Sequence, residues 1–327
     1  MKEPAARPFA SCQEFELFEE LSEAARGWEL DFCQLSRPEA KFYLEQVAGP
    51  SVQVSRAFFP SSFHQLGGST PGCRTVSILA PGPAPVGWRW CGETITRNSL
   101  LVMPPGGEFE SFSTPNFESI HLALPLTLLE RVAECQFGVS LQRVMPGGRI
   151  YCPNGGESLG RLRRLLLSVT RGPGAWSREP RCEFDATLES QMAALVLECL
   201  QQNLALSPRD ARSPRMLALA RALNVIGDTE DYVVDMSGLA SAVGVSRRTL
   251  ENAFRDGLGV SPAFFIRARK LRRFNRALLH ADANREQVAD IARKQGYRHL
   301  GKLAGDYRTM FGELPSTTMR RRIALQS

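Results

Sequence analysis

The chain has 327 residues, of which 43% are hydrophobic and 23% charged, with a net charge of +6. These are the proportions of a globular protein with room for two ordinary cores. No run of about 18 apolar residues occurs, which excludes a membrane-spanning helix, and MKEPAARPFASCQEFELFEE lacks a basic segment followed by an apolar one, so no signal peptide is expected.

Residues 10–26 predict an amphipathic helix bearing Phe15, Leu17, Phe18 and Leu21. From Gly27 to Leu124 the texture changes to short apolar runs such as SVQVSRAFF, CRTVSILA and ESIHLAL. Turn signals punctuate them at Gly49-Pro50, Gly67-Gly68, Pro71-Gly72, Pro81-Gly82-Pro83 and Pro105-Gly106-Gly107. Strands at this spacing imply a β-barrel or sandwich. PPGGEF is glycine-rich but precedes no helix, so it reads as a strand-to-strand turn rather than a phosphate cradle. Trp28, Trp88, Trp90, Phe32, Phe42, Tyr43, Phe58, Phe59 and Phe63 supply aromatic surface, most of it expected in the core. Arg89 reads either as a pocket cation or as a solvated strand residue.

Helices are expected again from Pro125 to Val132, Ser158 to Arg171 and Phe184 to Leu204, and Leu206 to Pro214 reads as a linker. All eight cysteines lie before residue 200, without C-x-x-C or zinc-site spacing. Buried reduced thiols are the favoured reading, with a redox pair left open.

Beyond the linker the charge inverts. Residues 209–327 carry 22 Lys/Arg against 12 Asp/Glu, net +10, whereas residues 1–208 are net −4. One basic module facing a polyanion is the natural inference. Within it, DMSGLASAVGVSRRTLENAF places Met236, Leu239, Ala240 and Val243 on one helix face, with Asp235 as N-cap and Gly244 as terminator. Ser246 then caps a second helix that buries Leu250 and Phe254 and displays Arg247, Arg248, Glu251, Asn252 and Arg255. Two short helices joined by a tight glycine turn describe a helix-turn-helix. The pattern returns about fifty residues on, with Val288, Ile291 and Ala292, then Gly296-Tyr297, then Leu303, Tyr307 and Phe311. Six residues separate glycine from buried leucine in the first unit and seven in the second. Between them, Ser261 to His280 predicts one long helix, opened by Ser-Pro, roughly 28 Å in length. That approaches the ~34 Å between successive major-groove faces on one side of B-DNA.

At Gly244, Ser246, Leu250, Phe254, Gly259, Ser261-Pro262, the Arg/Lys-Leu run through Leu271, Ala289, Gly296-Tyr297, Leu303, Tyr307, Phe311-Gly312 and Pro315, the chain resembles the AraC/XylS family of bacterial transcription regulators. VSRRTLENAF, GYRHLGKLAGDYRTMFGELPS and PPGGEFESFSTPNFESI are most similar to the branch of the ethanolamine-utilisation regulator. The resemblance implies an α+β chain. A cupin-like β-barrel (27–124) and a helical dimerisation region (125–205) form a sensor half, residues 1–205. A linker (206–214) and an all-α double helix-turn-helix domain (215–327) complete it. It also implies a cytoplasmic, nucleoid-associated homodimer on double-stranded promoter DNA, in contact with RNA polymerase. No cofactor is expected, but a small-molecule effector is implied. The ethanolamine branch would add a cobalamin, which no residue independently supports.

Arg248 and Asn252 are the candidates for base edges, since Arg matches guanine O6/N7 and Asn adenine N6/N7. Arg247 and Arg255 suit phosphates, and Glu251 either accepts from cytosine N4 or braces an arginine. In the second unit His299 stands where the family has a serine cap, and Leu300, Gly301, Ala304 and Gly305 offer little to bases. Arg298, Lys302 and Arg308 are therefore assigned to the DNA backbone, with His299 left between the two roles. Thr318-Met319 replaces the family's Tyr-Arg pair after the proline. A repressor or architectural DNA-binder without a ligand is the alternative. A cupin-type enzyme fits less well: metal-dependent cupins need several histidines and a glutamate, whereas the first half holds only His64 and His121.

Overall fold

Strands buried on both faces organise the first half of the chain. The computed structural model describes residues 9–81, 87–170, 184–202, 214–228, 236–282 and 285–326. They fall into two units, one of Met1–Asp31, Ala40–Pro60 and Gln65–Asp210, the other of Phe32–Glu39, Ser61–His64 and Ala211–Ser327.

The elements begin with β1 (Phe9–Phe15), α1 (Phe18–Ala24), β2 (Glu29–Gln34), β3 (Phe42–Ala48), β4 (Gln53–Phe59), β5 (Phe63–Gly68) and β6 (Cys73–Leu79). β7 (Trp88–Trp90), β8 (Glu93–Ile95), β9 (Leu100–Met103), β10 (Glu108–Ser113) and β11 (Phe117–Pro125) follow. Then come α2 (Leu126–Phe137), α3 (Leu141–Val144), β12 (Ile150–Cys152), α4 (Gly156–Val169) and α5 (Ala186–Gln201). One sheet has the order β1-β3-β4-β11-β6-β9-β12, the other β2-β5-β10-β7-β8. Neither closes on itself among the described residues, so the expected barrel is instead an open pair of antiparallel sheets. Its ladder stops at β1 on one side and β12 on the other.

The larger sheet alternates two buried faces. Val54, Val76, Ile78, Val102, Ile120 and Leu122 join the cluster containing Leu128, Leu159, Leu162, Leu166, Met192 and Val196 of α2, α4 and α5. The intervening positions Ser55, Ala57, Phe59, Phe117, Ser119 and His121 line a cavity with Trp88 and Trp90 of the other sheet. Glu189 of α5 fastens the helices to the β3–β4 turn by accepting from Ser51 N, Ser51 Oγ and Val52 N at 2.6–2.8 Å. PPGGEF does turn between β9 and β10, with Gly106 at φ +61.

The helix expected over 10–26 is half strand. Phe9 to Phe15 pair antiparallel with Ala48 to Phe42, and the gain of a whole ladder with β3 outweighs the local helical spacing, leaving only Phe18–Ala24 helical. The seven described cysteines are thiols, of which Cys33, Cys91, Cys152 and Cys199 are buried as expected, whereas Cys12 and Cys73 are partly exposed and Cys135 is exposed. Burial raises the Cys152 thiol and pushes Cys199 up to about 12, as buried reduced thiols require. Cys182 and linker residues 206–213 lie outside the described residues.

The second unit contains α6 (Pro214–Asp228), α7 (Met236–Val243), α8 (Arg247–Leu258), α9 (Pro262–His280), α10 (Val288–Lys294), α11 (Leu300–Phe311) and α12 (Pro315–Gln326). α6 packs on α8 at Gly257, where a Cβ would meet Leu219 Cδ2 at 2.1 Å.

Two predictions follow from these packings. Gly257→Ala should destabilise the helix-turn-helix half by about 1–3 kcal/mol through overpacking, despite a helix-propensity gain of about 1 kcal/mol. A melting temperature higher than the parent's would refute the close approach. His121 bonds Ser77 Oγ through Nδ1 (2.8 Å) and Ser119 Oγ through Nε2 (2.9 Å), and burial pushes its pKa down to about 3. The unfolded imidazole titrates near 6.5 and so takes up its proton first, which makes stability fall as pH drops from 6.5 towards 3. The loss should be on the order of 2–4 kcal/mol, less than the whole shift because one ring edge opens onto the cavity. Denaturant titrations across this range should show His121→Gln flattening the acid limb.

Candidate nucleic-acid interface

Both glycine turns form the same hydrogen-bonded closure. Gly244 (φ +74) donates to Ser241 O at 3.1 Å, and Val245 N donates to Ala240 O at 3.0 Å. Gly296 (φ +77) donates to Arg293 O and Tyr297 N to Ala292 O, each at 2.9 Å. A left-handed glycine with a six-to-one bond is a Schellman end, which satisfies carbonyls the helix leaves open. The Asp235 cap falls outside the described residues.

The second helices start differently. Ser246 Oγ accepts from Thr249 N at 3.1 Å, capping α8. His299 precedes α11 with no side-chain cap bond, and the longer second turn places α11 four residues after its glycine rather than three. α8 buries Leu250, Ala253, Phe254, Gly257 and Leu258. Its opposite face exposes Arg247, Arg248, Glu251 and Arg255, with Asn252 half-buried beside them. Arg247 Nε reaches Glu251 Oε1 at 3.3 Å, so the carboxylate braces that arginine in the free protein. The row 247, 251, 255 and the pair 248, 252 share one helix face, as i, i+4 spacing requires.

α11 buries Leu303, Tyr307 and Met310. Arg298, His299, Lys302 and Arg308 are exposed, but between them Gly301 and Gly305 face open space. Four cationic or imidazole groups therefore flank a stretch that presents bare backbone.

α9 holds the two units. Phe265 packs on Phe254 of α8 at 5.6 Å between ring centroids, and Phe274 packs on Tyr297 and Tyr307 at 5.6 and 5.7 Å. At that second contact Tyr307 Oη donates to Asn275 Oδ1 and meets Thr318 Oγ1 at 2.7 Å, while Thr318 donates to Glu313 at 2.6 Å. Asn275 and Thr318 are fully buried. Sequence reading missed this polar knot, because nothing in the composition of a basic helix marks which asparagine turns inward. The departure at Thr318 thus has a structural use.

A second feature lies between the two sheets of the first unit. The cavity enclosed by Trp28, Trp88, Trp90, Phe109, Phe117 and His121 has about 470 Å³ of space between atoms including its mouth, but only about 40 Å³ admits a water-sized sphere. Phe42, Tyr43 and Phe63 are core, as expected. Arg89 alternates with Trp88 and Trp90 on β7 and is absent from the cavity wall.

Comparison with known proteins agrees with this geometry. A family model described as a helix-turn-helix domain matches residues 239–321. The XylDLEGF operon transcriptional activator 3 of Pseudomonas putida is 34% identical over 287 residues, 87% of this chain and 83% of that protein. An activator 1 of the same operon and species is 33% identical over 300 residues, 85% of this chain and 91% of its own length. Among solved structures, a probable AraC family transcriptional regulator from Rhodopseudomonas palustris is 31% identical. It covers 32% of this chain and 96% of its own, with a TM-score of 0.30. These relatives lend the ethanolamine-utilisation branch no support. Sequence identity extending through most of both chains places this protein in the AraC/XylS family of DNA-binding transcription regulators.

Proposed function

We propose that this chain is an effector-responsive activator whose α8 reads promoter sequence and whose α11 grips the adjacent backbone. The observation that carries the reading is the contrast between the two second helices. One is capped and presents Arg248 and Asn252; the other is uncapped and presents glycine between Arg298, Lys302 and Arg308. Base edges in a major groove need donors and acceptors at fixed positions, whereas phosphates need only positive charge nearby. Activation is supported by the likeness to the operon activators of Pseudomonas putida, and implies contact with RNA polymerase.

The protein acts in the cytoplasm as a homodimer, and among the described residues no helix is long and apolar enough to cross a membrane. α4 and α5, which the resemblance assigns to dimerisation, turn Leu162, Leu166, Val196 and Leu197 onto the sheet, leaving their outer faces for a partner copy. The aromatic cavity is the effector site in this reading, corresponding to the ligand chamber of a cupin-like sensor. Its small clear volume supports a guest much smaller than a corrin ring.

Arg248→Ala should cost about 1–3 kcal/mol on the specific site and relax preference at one base pair. Arg255→Ala should weaken all sequences alike and lower the slope of log affinity against log salt by about 1. Equal losses on specific and random DNA in both variants, measured by fluorescence anisotropy, would overturn the assignment. Single-base substitutions should be penalised more heavily in the half-site under α8 than in that under α11; the reverse order would exchange their roles.

A further inference from the structure

Among the described residues of the first unit, Arg74 Nε, Thr75 Oγ1 and Trp90 Nε1 are buried without a hydrogen-bond partner, and of these three only Trp90 lines the cavity. Trp88 Nε1 donates to Ser111 Oγ at 2.9 Å, whereas Nε1 of its neighbour Trp90, 2% exposed, has no hydrogen-bond partner. Trp90 belongs to the cavity wall. An unsatisfied buried N–H costs about 1–3 kcal/mol, and an acceptor brought by a ligand would remove that cost.

The rest of the wall says what sort of ligand could bring it. Trp28 and Trp90 flank His121 with ring centroids at 4.9 and 5.6 Å, and Phe109 lies 4.7 Å from Trp90. Rings so arranged suit a flat, apolar guest, which stacks or meets them edge to face. Among the described residues none lining the cavity carries a cationic or anionic side chain. His121 supplies no countercharge: its two nitrogens face neutral serine hydroxyls and no carboxylate, and burial lowers the pKa of the imidazole. A carboxylate entering here would lose its hydration without meeting a countercharge, and that loss exceeds what one indole N–H returns.

We infer that the cavity takes an uncharged, planar, single-ring compound bearing one hydrogen-bond acceptor, such as an aldehyde or ketone oxygen, which accepts from Trp90 Nε1. This rests on the reading of the cavity as the effector site and names the ligand class for it. The guest must also part the walls. A cavity of about 150 Å³ is of the size that holds benzene, and only about 40 Å³ is clear here.

Calorimetric titration of the full chain with benzaldehyde, benzoate and toluene separates the possibilities. Benzaldehyde should bind at least tenfold more tightly than benzoate. Trp90→Phe, which keeps an aromatic ring but removes the donor and adds some space for either guest, should weaken benzaldehyde relative to toluene about five- to tenfold. Ala57→Phe, which fills the cavity, should abolish all binding. Benzoate binding as well as benzaldehyde, lost in Ala57→Phe, would overturn the ligand class while leaving the cavity as the effector site. Binding of the probes that survives Ala57→Phe, or no binding of any probe, would overturn both. Should Trp90→Phe fail to fold by circular dichroism, the benzaldehyde-to-benzoate ratio in the parent chain still decides.

Discussion

The aromatic contacts at the two ends of α9 are what the DNA-reading half depends on. Phe265 against Phe254 and Phe274 against Tyr297 and Tyr307 attach each helix-turn-helix to the same rigid rod, so the spacing of α8 and α11 is set by helix rise and not by loops. Apolar contact alone would let the second unit rotate on the rod. The Asn275–Tyr307–Thr318 hydrogen bonds supply direction at that end, because buried donors and acceptors tolerate few relative orientations. Among the described residues the first unit shows no such knot at its contact, but it has α6, packed so closely on α8 that a Cβ at 257 would have to displace the Leu219 methyl. Two different devices therefore restrain two similar turns.

The basic half was largely legible because each of its helices buries one face and shows the other. That is the situation in which period 3.6 survives in the residue string. α9 and both glycine turns fall where spacing puts them, and the weak start of α11 follows from His299 standing where a serine would cap. Legibility failed where burial depended on partners distant in sequence. β1 needs β3, more than twenty-five positions away, before it is a strand at all. Past Glu118, β11 is buried on both sides, so Ser119 and His121 alternate with Ile120 and Leu122 and mark no solvent face. Aromatic residues could be counted from the sequence. Which of them would face one another across two sheets, and which indole would be left without an acceptor, is decided by tertiary pairing.

The two halves also differ in how they treat polar groups. In the DNA-binding half most charges are displayed, with Arg272 buried, and Asn275, Tyr307 and Thr318 form an internal polar cluster. In the first half of the chain polar groups are drawn inward: His121 between two serines, and Glu189 beneath a turn. Burial of this kind raises the cost of leaving any one of them unmatched. Hence an unmatched indole N–H on a cavity wall in that setting costs more than it would at a surface.

The central sheet's two-sided burial has an evolutionary consequence. Along β11, cavity-facing and helix-facing side chains succeed one another residue by residue, so inserting or deleting a single position would drive His121 among leucines and turn Ile120 and Leu122 towards the tryptophans. Drift in strand length is closed to descendants of this chain. New chemical preferences can arise there only by exchanging side chains at every second position, while turns between strands remain free to lengthen.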